Sequence, residues 1–148
     1  MPPGVILLSK LNPEIERVWL VDVEATDRAV CSTEFLVLRP SSPYGWSYAY
    51  CLARSPFFRQ QIESLVTGTS KSHQRAQINA IMSLTVILPP KPIAAAFEKT
   101  ATALLSRTLE NRRESLILAT IRDALLPKLI SDELRVTDTQ RFMAEARA

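Results

Sequence analysis

The residues best able to do chemistry lie between positions 67 and 77. That run is Thr-Gly-Thr-Ser-Lys-Ser-His-Gln-Arg-Ala-Gln, polar and basic, with no apolar period. Lys71 and Arg75 bring cationic donors, and Thr69, Ser70, His73, Gln74 and Gln77 bring neutral donors and acceptors. Such a set suits binding better than bond-making. His73 is the sole histidine, and no nucleophile or orienting carboxylate is spaced to serve it as a catalytic base. Cys31 and Cys51 form no CxxC pair, and a zinc site needs about four clustered ligands. Both cysteines read as small core or strand residues. No Walker loop, GxGxxG run or nucleophile elbow is present, and neither is a glycine-rich methyltransferase loop nor an Asn-Pro-Pro-aromatic motif. The expectation is a non-enzyme without cofactor or metal. On residue types alone, the 67–77 loop reads equally as a binding loop and as a solvated surface.

Composition permits a packed core. The 148 residues are 47% hydrophobic and 22% charged, with a net charge of +3. That balance argues against wholesale disorder and is compatible with a polyanionic partner without requiring one. The first residues, Met-Pro-Pro-Gly-Val-Ile-Leu-Leu, lack a basic leader, and no apolar run approaches the ~20 residues of a membrane span. The expected compartment is the cytoplasm, with no membrane partner.

The elements that must position the loop are short. Residues 5–8 predict a buried strand, Asn12-Pro13 a turn, 18–21 a second strand, Thr26-Asp27-Arg28 a turn and 29–38 one or two strands. Residues 46–53 predict a short helix. Ser55-Pro56 predicts a helix start, with serine as N-cap and proline at the first helical position. Phe57, Phe58, Ile62 and Leu65 follow at helical spacing. Residues 78–82 predict a short helix and Leu84–Leu88 a strand. Tyr44, Trp46, Tyr48 and Tyr50 read as packing residues rather than a stacking platform.

From Ile93 to Leu126 there is neither proline nor glycine, which predicts one helix of about 50 Å. Pro127 is expected to stop it, and residues 131–148 read as a tail with a second small helix from Thr139. A domain of about 90 residues has a radius of gyration near ~12 Å, so such a helix must project. Phe97, Leu104, Asn111, Leu118 and Leu125 recur at steps of seven, an irregular coiled-coil seam. Its leucines and isoleucines each gain roughly 1.5–3 kcal/mol on burial, so a partner is expected: a second copy in an antiparallel pair, or another chain. Asn111 either sets the register of such a pair or faces water.

Several stretches resemble the specificity subunit of type I restriction–modification enzymes. The run Asn111-Arg112-Arg113-Glu114-Ser115-Leu116, continuing from Leu118 through Arg122-Asp123-Ala124-Leu125-Leu126-Pro127 to Ser131, is the most specific. Leu134-Arg135-Val136, Leu88-Pro89-Pro90, Ile6–Lys10, Ser32–Phe35 with Leu38-Arg39-Pro40, and Gly68-Thr69-Ser70 add weaker likeness. Val5 and Asp132 depart from the pattern, which has an acidic residue and a glycine there. Only about 90 residues precede the helix, where the resemblance implies about 150.

The resemblance implies an α+β chain: part of a target-recognition domain over 1–91, a conserved helix and spacer over 92–130, and a tail over 131–148. It implies a homodimer through the helix, DNA as ligand, and docking to a methyltransferase subunit and, through it, to the restriction subunit. Thr69, Ser70, Lys71, His73, Gln74, Arg75 and Gln77 become the DNA candidates, with Arg54 and Arg59 weaker ones. Arg112 and Arg113 are expected to flank a protein interface. The alternative is a coiled-coil assembly module that no longer reads DNA.

Overall fold

A computed structural model of the chain describes residues 4–23, 29–40, 44–66 and 74–134. The predicted turn at 26–28, most of the loop at 67–73 and the tail helix from Thr139 lie outside them. The class is α+β, as expected: the described residues form three short strands, three short helices, then one long helix. Contacts divide the chain into two units, Met1–Ser106 and Arg107–Ala148.

The first unit is organised by β1 (Ile6–Ser9), whose four residues are all buried. It is the middle strand of a sheet ordered β2-β1-β3, with β2 (Val18–Leu20) and β3 (Phe35–Leu38) both antiparallel to it. Asn12 turns the chain between β1 and β2. Its φ is 47°, and the Ile15 amide donates to its carbonyl at 3.0 Å. Asparagine tolerates this left-handed geometry better than most residues.

Side chains alternate across the sheet. Leu8 shares a core with Ala53, Phe58, Ile62, Ala76 and Ile81, and Val18, Leu36 and Leu38 pack against it. The other face carries the row Trp19–Leu7–Val37. Leu7 is buried while its two neighbours are exposed.

Helices α1 (Trp46–Arg54) and α2 (Pro56–Ser64) cover the core face. The Ser55-Pro56 start is present as read: the Phe58 amide donates to Ser55 Oγ at 3.2 Å, and Pro56 opens α2. Phe58 and Ile62 fill the core, whereas Phe57 stays exposed. Helix α3 (Ile78–Met82) places Ile81 in the same core. At the chain's start Gly4 holds a φ of 84°, with the Trp46 ring where a side chain would stand. Glycine meets both demands.

Helix α1 lacks a local cap, since its N-cap residue is Gly45. The long helix α4 (Lys91–Ile130) supplies one. The amides of Ser47 and Tyr48 donate to the Glu98 carboxylate at 3.2 and 3.0 Å. Thr102 Oγ1 stands within hydrogen-bonding distance of both Glu98 Oε1, at 3.3 Å, and Ser47 Oγ, at 3.2 Å. A Cβ at position 45 would overlap the carboxylate, so a larger residue there would have to push the Glu98 cap aside. Burial by itself pushes the Glu98 carboxyl up. The hydrogen bonds from Ser47, Tyr48 and Thr102 outweigh it and hold the group below its usual value.

Five expectations need correction. Leu84–Leu88 is extended but is not a strand. Leu84 and Val86 pack on the core, yet no ladder partner is aligned among the described residues. Two carbonyls there accept from tyrosines instead: Tyr48 Oη to Ile87 O and Tyr44 Oη to Pro89 O, both 2.9 Å. Of residues 29–38, only Phe35–Leu38 pairs, because β1 offers four residues and the turn at 32–35 closes the ladder. Cys31 therefore lies outside the sheet and is exposed, while Cys51 is half-buried in α1. Residues 74–77 are not a free loop. Arg75 bridges Leu11, and Ala76 is buried.

Last, Pro127 does not end the long helix, which begins at Lys91 and runs to Ile130. A proline loses only its own amide bond and crowds the preceding turn, and Pro127 O still accepts from Ser131 N at 2.9 Å. The helix ends before Asp132, whose φ of 61° is the left-handed geometry that glycine favours.

The lowered Glu98 pKa sets a pH dependence. A carboxyl whose folded value lies below its unfolded value stabilises the fold above the unfolded value, and that stability is lost as pH falls through the folded one. Glu98→Gln is expected to cost about 1–2 kcal/mol near neutrality, the size of a lost helix cap. The gap to the wild-type chain should narrow as pH falls below the ordinary glutamate range and through the lower folded value. Urea unfolding of both chains across pH 3–7, followed by tryptophan fluorescence, measures it.

Candidate functional site

The described part of the predicted binding loop is held against the end of β1. Asn12 N donates to Gln74 O at 2.9 Å, and Ala76 N donates to Lys10 O at 3.0 Å. On its other side, Lys10 N donates to Glu34 O at 2.9 Å. The Lys10 backbone thus ties the turn before β3 to the segment leading into α3. Buried Ala76 anchors that segment in the core, which fixes Arg75 and Gln77 at the surface.

The result is a mainly polar concavity of about 310 Å³ bordered by Lys10, Thr33, Glu34, Arg75 and Gln77. Arg75 Nη2 lies 2.8 Å from Glu34 Oε1, with the arginine side chain 56% exposed. The Gln77 side chain makes no cap bond to α3 although Gln77 is its N-cap residue, and it is exposed. Gln74 is half-buried and contributes its carbonyl to the bridge. Of the sequence-predicted DNA residues, Arg75 and Gln77 border this concavity, whereas Gln74 does not. Thr69, Ser70, Lys71 and His73 lie outside the described residues.

Arg54 and Arg59, the weaker candidates, are engaged elsewhere. Arg54 Nε donates to Glu16 Oε1 at 2.5 Å, and its guanidinium lies 5.4 Å from the Tyr50 ring centroid. Arg59 pairs with Glu16 at 3.5 Å and donates to Glu14 O at 3.0 Å. These contacts staple α1 and α2 to the β1–β2 connection. Burial pushes the Cys51 thiol up, and Glu98 adds to that against the opposing pull of Arg54. Cys51 is correspondingly a poor nucleophile.

Lys10, Thr33 and Glu34 were not legible as site residues. The Ser32–Phe35 turn carries a local signal, since Ser32 Oγ accepts from Glu34 N at 3.2 Å. Its approach to Arg75 depends on pairings between distant segments.

The long helix is the second candidate surface. Within the first unit, Ala94 is buried and Glu98, Ala101, Thr102 and Leu105 are half-buried, one stripe along α4. Phe97, expected in the seam, is 40% exposed and meets the Tyr48 ring edge-on at 5.8 Å. Leu104, Asn111, Leu118 and Leu125 are all exposed. In the second unit, Leu116, Ile117 and Leu118 are exposed in succession, followed by Ile121, Leu125, Leu126, Leu129 and Ile130. Three consecutive helical residues span about 200° of the circumference, so the apolar surface exceeds a single seam. No helix among the described residues is long and apolar enough to cross a membrane.

The chain is 36% identical over 91 residues, 62% of its length, to the specificity subunit of the type I restriction enzyme MjaIX of Methanocaldococcus jannaschii. It is 25% identical over 95 residues, 64% of its length, to that of the type I enzyme HindI of Haemophilus influenzae. The chain is similar to part of a type I restriction enzyme specificity subunit. It spans about 20% of the length of each of these relatives. No protein-family model matches it, and no solved structure does.

The half-exposed Arg75–Glu34 pair contributes little to folding, because exposed ion pairs are worth about 0–1 kcal/mol. Arg75→Ala is therefore expected to shift unfolding by less than about 1 kcal/mol, which thermal melting checks.

Proposed function

We propose that the chain is a non-catalytic DNA-specificity subunit, or half of one, of a type I restriction–modification system. It binds DNA through the segment that holds Thr69, Ser70, Lys71, His73, Gln74, Arg75 and Gln77. It pairs with a second copy through α4 along Phe97, Leu104, Asn111, Leu118 and Leu125. It docks a methyltransferase subunit that brings the chemistry. The observation that carries this reading is the 36% identity over 91 residues to a type I specificity subunit.

Two features of the chain support it. The apolar surface of α4 is wider than one helix can cover, which suits a second copy on one side and a methyltransferase subunit on another. The concavity beside β1 offers side chains of the right kinds: arginine and lysine for phosphates or guanine, glutamine for an adenine edge. The folded residues around it fix where Arg75 and Gln77 stand.

The test has two arms. Light scattering on the purified chain is expected to give twice the chain mass, and Leu118→Glu, at an exposed position, is expected to halve it. A random-sequence duplex pool, presented to the chain alone and with its methyltransferase subunit, is expected to enrich a motif, with binding that weakens as salt rises. A wild-type monomer would remove the pairing. A dimer that enriches no motif in either condition would remove the specificity role and leave an assembly module.

A further inference from the structure

We propose that Glu34 is a specificity-determining residue: it withholds Arg75 from phosphates and aims the guanidinium at a guanine edge in the major groove. The proposal rests on the DNA-binding reading above and adds a residue and a base to it. Three observations carry it.

The first is the placing of an acid at a surface meant for a polyanion. Glu34 stands 2.8 Å from Arg75 Nη2 and borders the same concavity as Lys10 and Gln77. A carboxylate costs affinity for phosphate, so simple charge attraction gives it no reason to be there. Its neutralising partner is Arg75, the one arginine among the described residues that borders the concavity.

The second is the rigidity of the pair. Glu34 is half-buried, and its backbone is fixed by Lys10 N and by the Ser32 hydroxyl. Arg75 is fixed through its bridge to Leu11, next to buried Ala76. An arginine on a long exposed stem ordinarily samples many rotamers and takes whichever phosphate is nearest. Here both backbones are tied to the end of β1, so the carboxylate selects one direction for the guanidinium.

The third is the shape of the guanidinium. It has five N–H donors in a fixed fork. The ion pair engages it through Nη2, and the fork carries donors beyond that contact, enough for a two-bond contact to guanine O6 and N7. Lys10, on the other border, is a point charge with no such geometry and is the better phosphate ligand.

The pair thus separates two jobs that a lone arginine would mix. Phosphate contacts set affinity for all sequences alike, and base contacts discriminate. Removing the acid should therefore strengthen general binding while weakening discrimination. A merely structural role for Glu34 produces no such opposition.

The test uses the full chain, with the methyltransferase subunit if the complex is what binds. Wild type, Glu34→Ala, Glu34→Gln and Arg75→Lys are each selected on a random duplex pool and titrated with salt on one non-cognate duplex, after melting curves establish that each is folded. Wild type is expected to enrich a motif containing a G·C pair that depends on Arg75. Glu34→Ala should lose about tenfold of the preference at that pair. It should also bind the non-cognate duplex more tightly, with a salt slope steeper by about 0.9, one added phosphate contact. Glu34→Gln, whose amide oxygen still accepts from the guanidinium, should recover part of the preference. Arg75→Lys should lose the preference with the slope unchanged. If Glu34→Ala keeps the wild-type motif and slope, or weakens all sequences equally, the proposal is overturned while the specificity role stands. If the wild-type complex enriches nothing, both fall.

Discussion

The arrangement of the first unit depends on one carboxylate. Helix α1 starts at a glycine and has no side chain of its own to satisfy its first amides. Four unsatisfied N–H groups at a helix start attract negative charge, and Glu98 brings it from the base of α4. The same contact decides which face of α4 lies against the body. Ala94, Ala101, Thr102 and Leu105 follow Glu98 on that stripe, and Phe97 meets Tyr48 at its margin. Tyr44 and Tyr48 then fasten the connection before α4 by its carbonyls. Cap, rings and connection form one joint.

At the other end of the sheet, β1 runs out into Lys10, and the chain on both sides is gathered there by backbone bonds rather than by side-chain packing. Such an edge can hold polar groups in fixed positions without burying them. Function on a rigid edge of this kind needs few residues, because their directions are set by the sheet and not by the side chains themselves.

The apolar side chains of α4 pose the opposite problem. Ala94 is buried, but from Leu116 to Ile130 the leucines and isoleucines stand in solvent. A helix that is apolar around much of its circumference gains its stability from neighbours. The consecutive triplet Leu116, Ile117 and Leu118 carries that apolar surface around more than one side of the helix.

Local signals in the sequence carried a good part of the fold. Ser55-Pro56 announced α2, Val5–Leu8 announced a buried strand, and the stretch without proline or glycine announced the long helix. Each is a short-range effect: a cap bond three residues away, the burial of an apolar run, the helical preference of each residue in turn. Where pairing between distant segments decides, the local pattern misled. Leu84–Leu88 alternates like a strand but has no aligned partner among the described residues, and Cys31 sits in a β-rich run that β1 is too short to pair. Pro127 misled for a different reason, since a helix can lose one amide bond near its end and continue. Glu34 beside Arg75, and Glu98 on α1, join residues about forty and fifty positions apart. The sequence by itself determined the helices, the apolar runs and the excess of greasy surface on α4, because those follow from neighbours along the chain. Only the tertiary structure decided which acid meets which donor, because that depends on how the strands align.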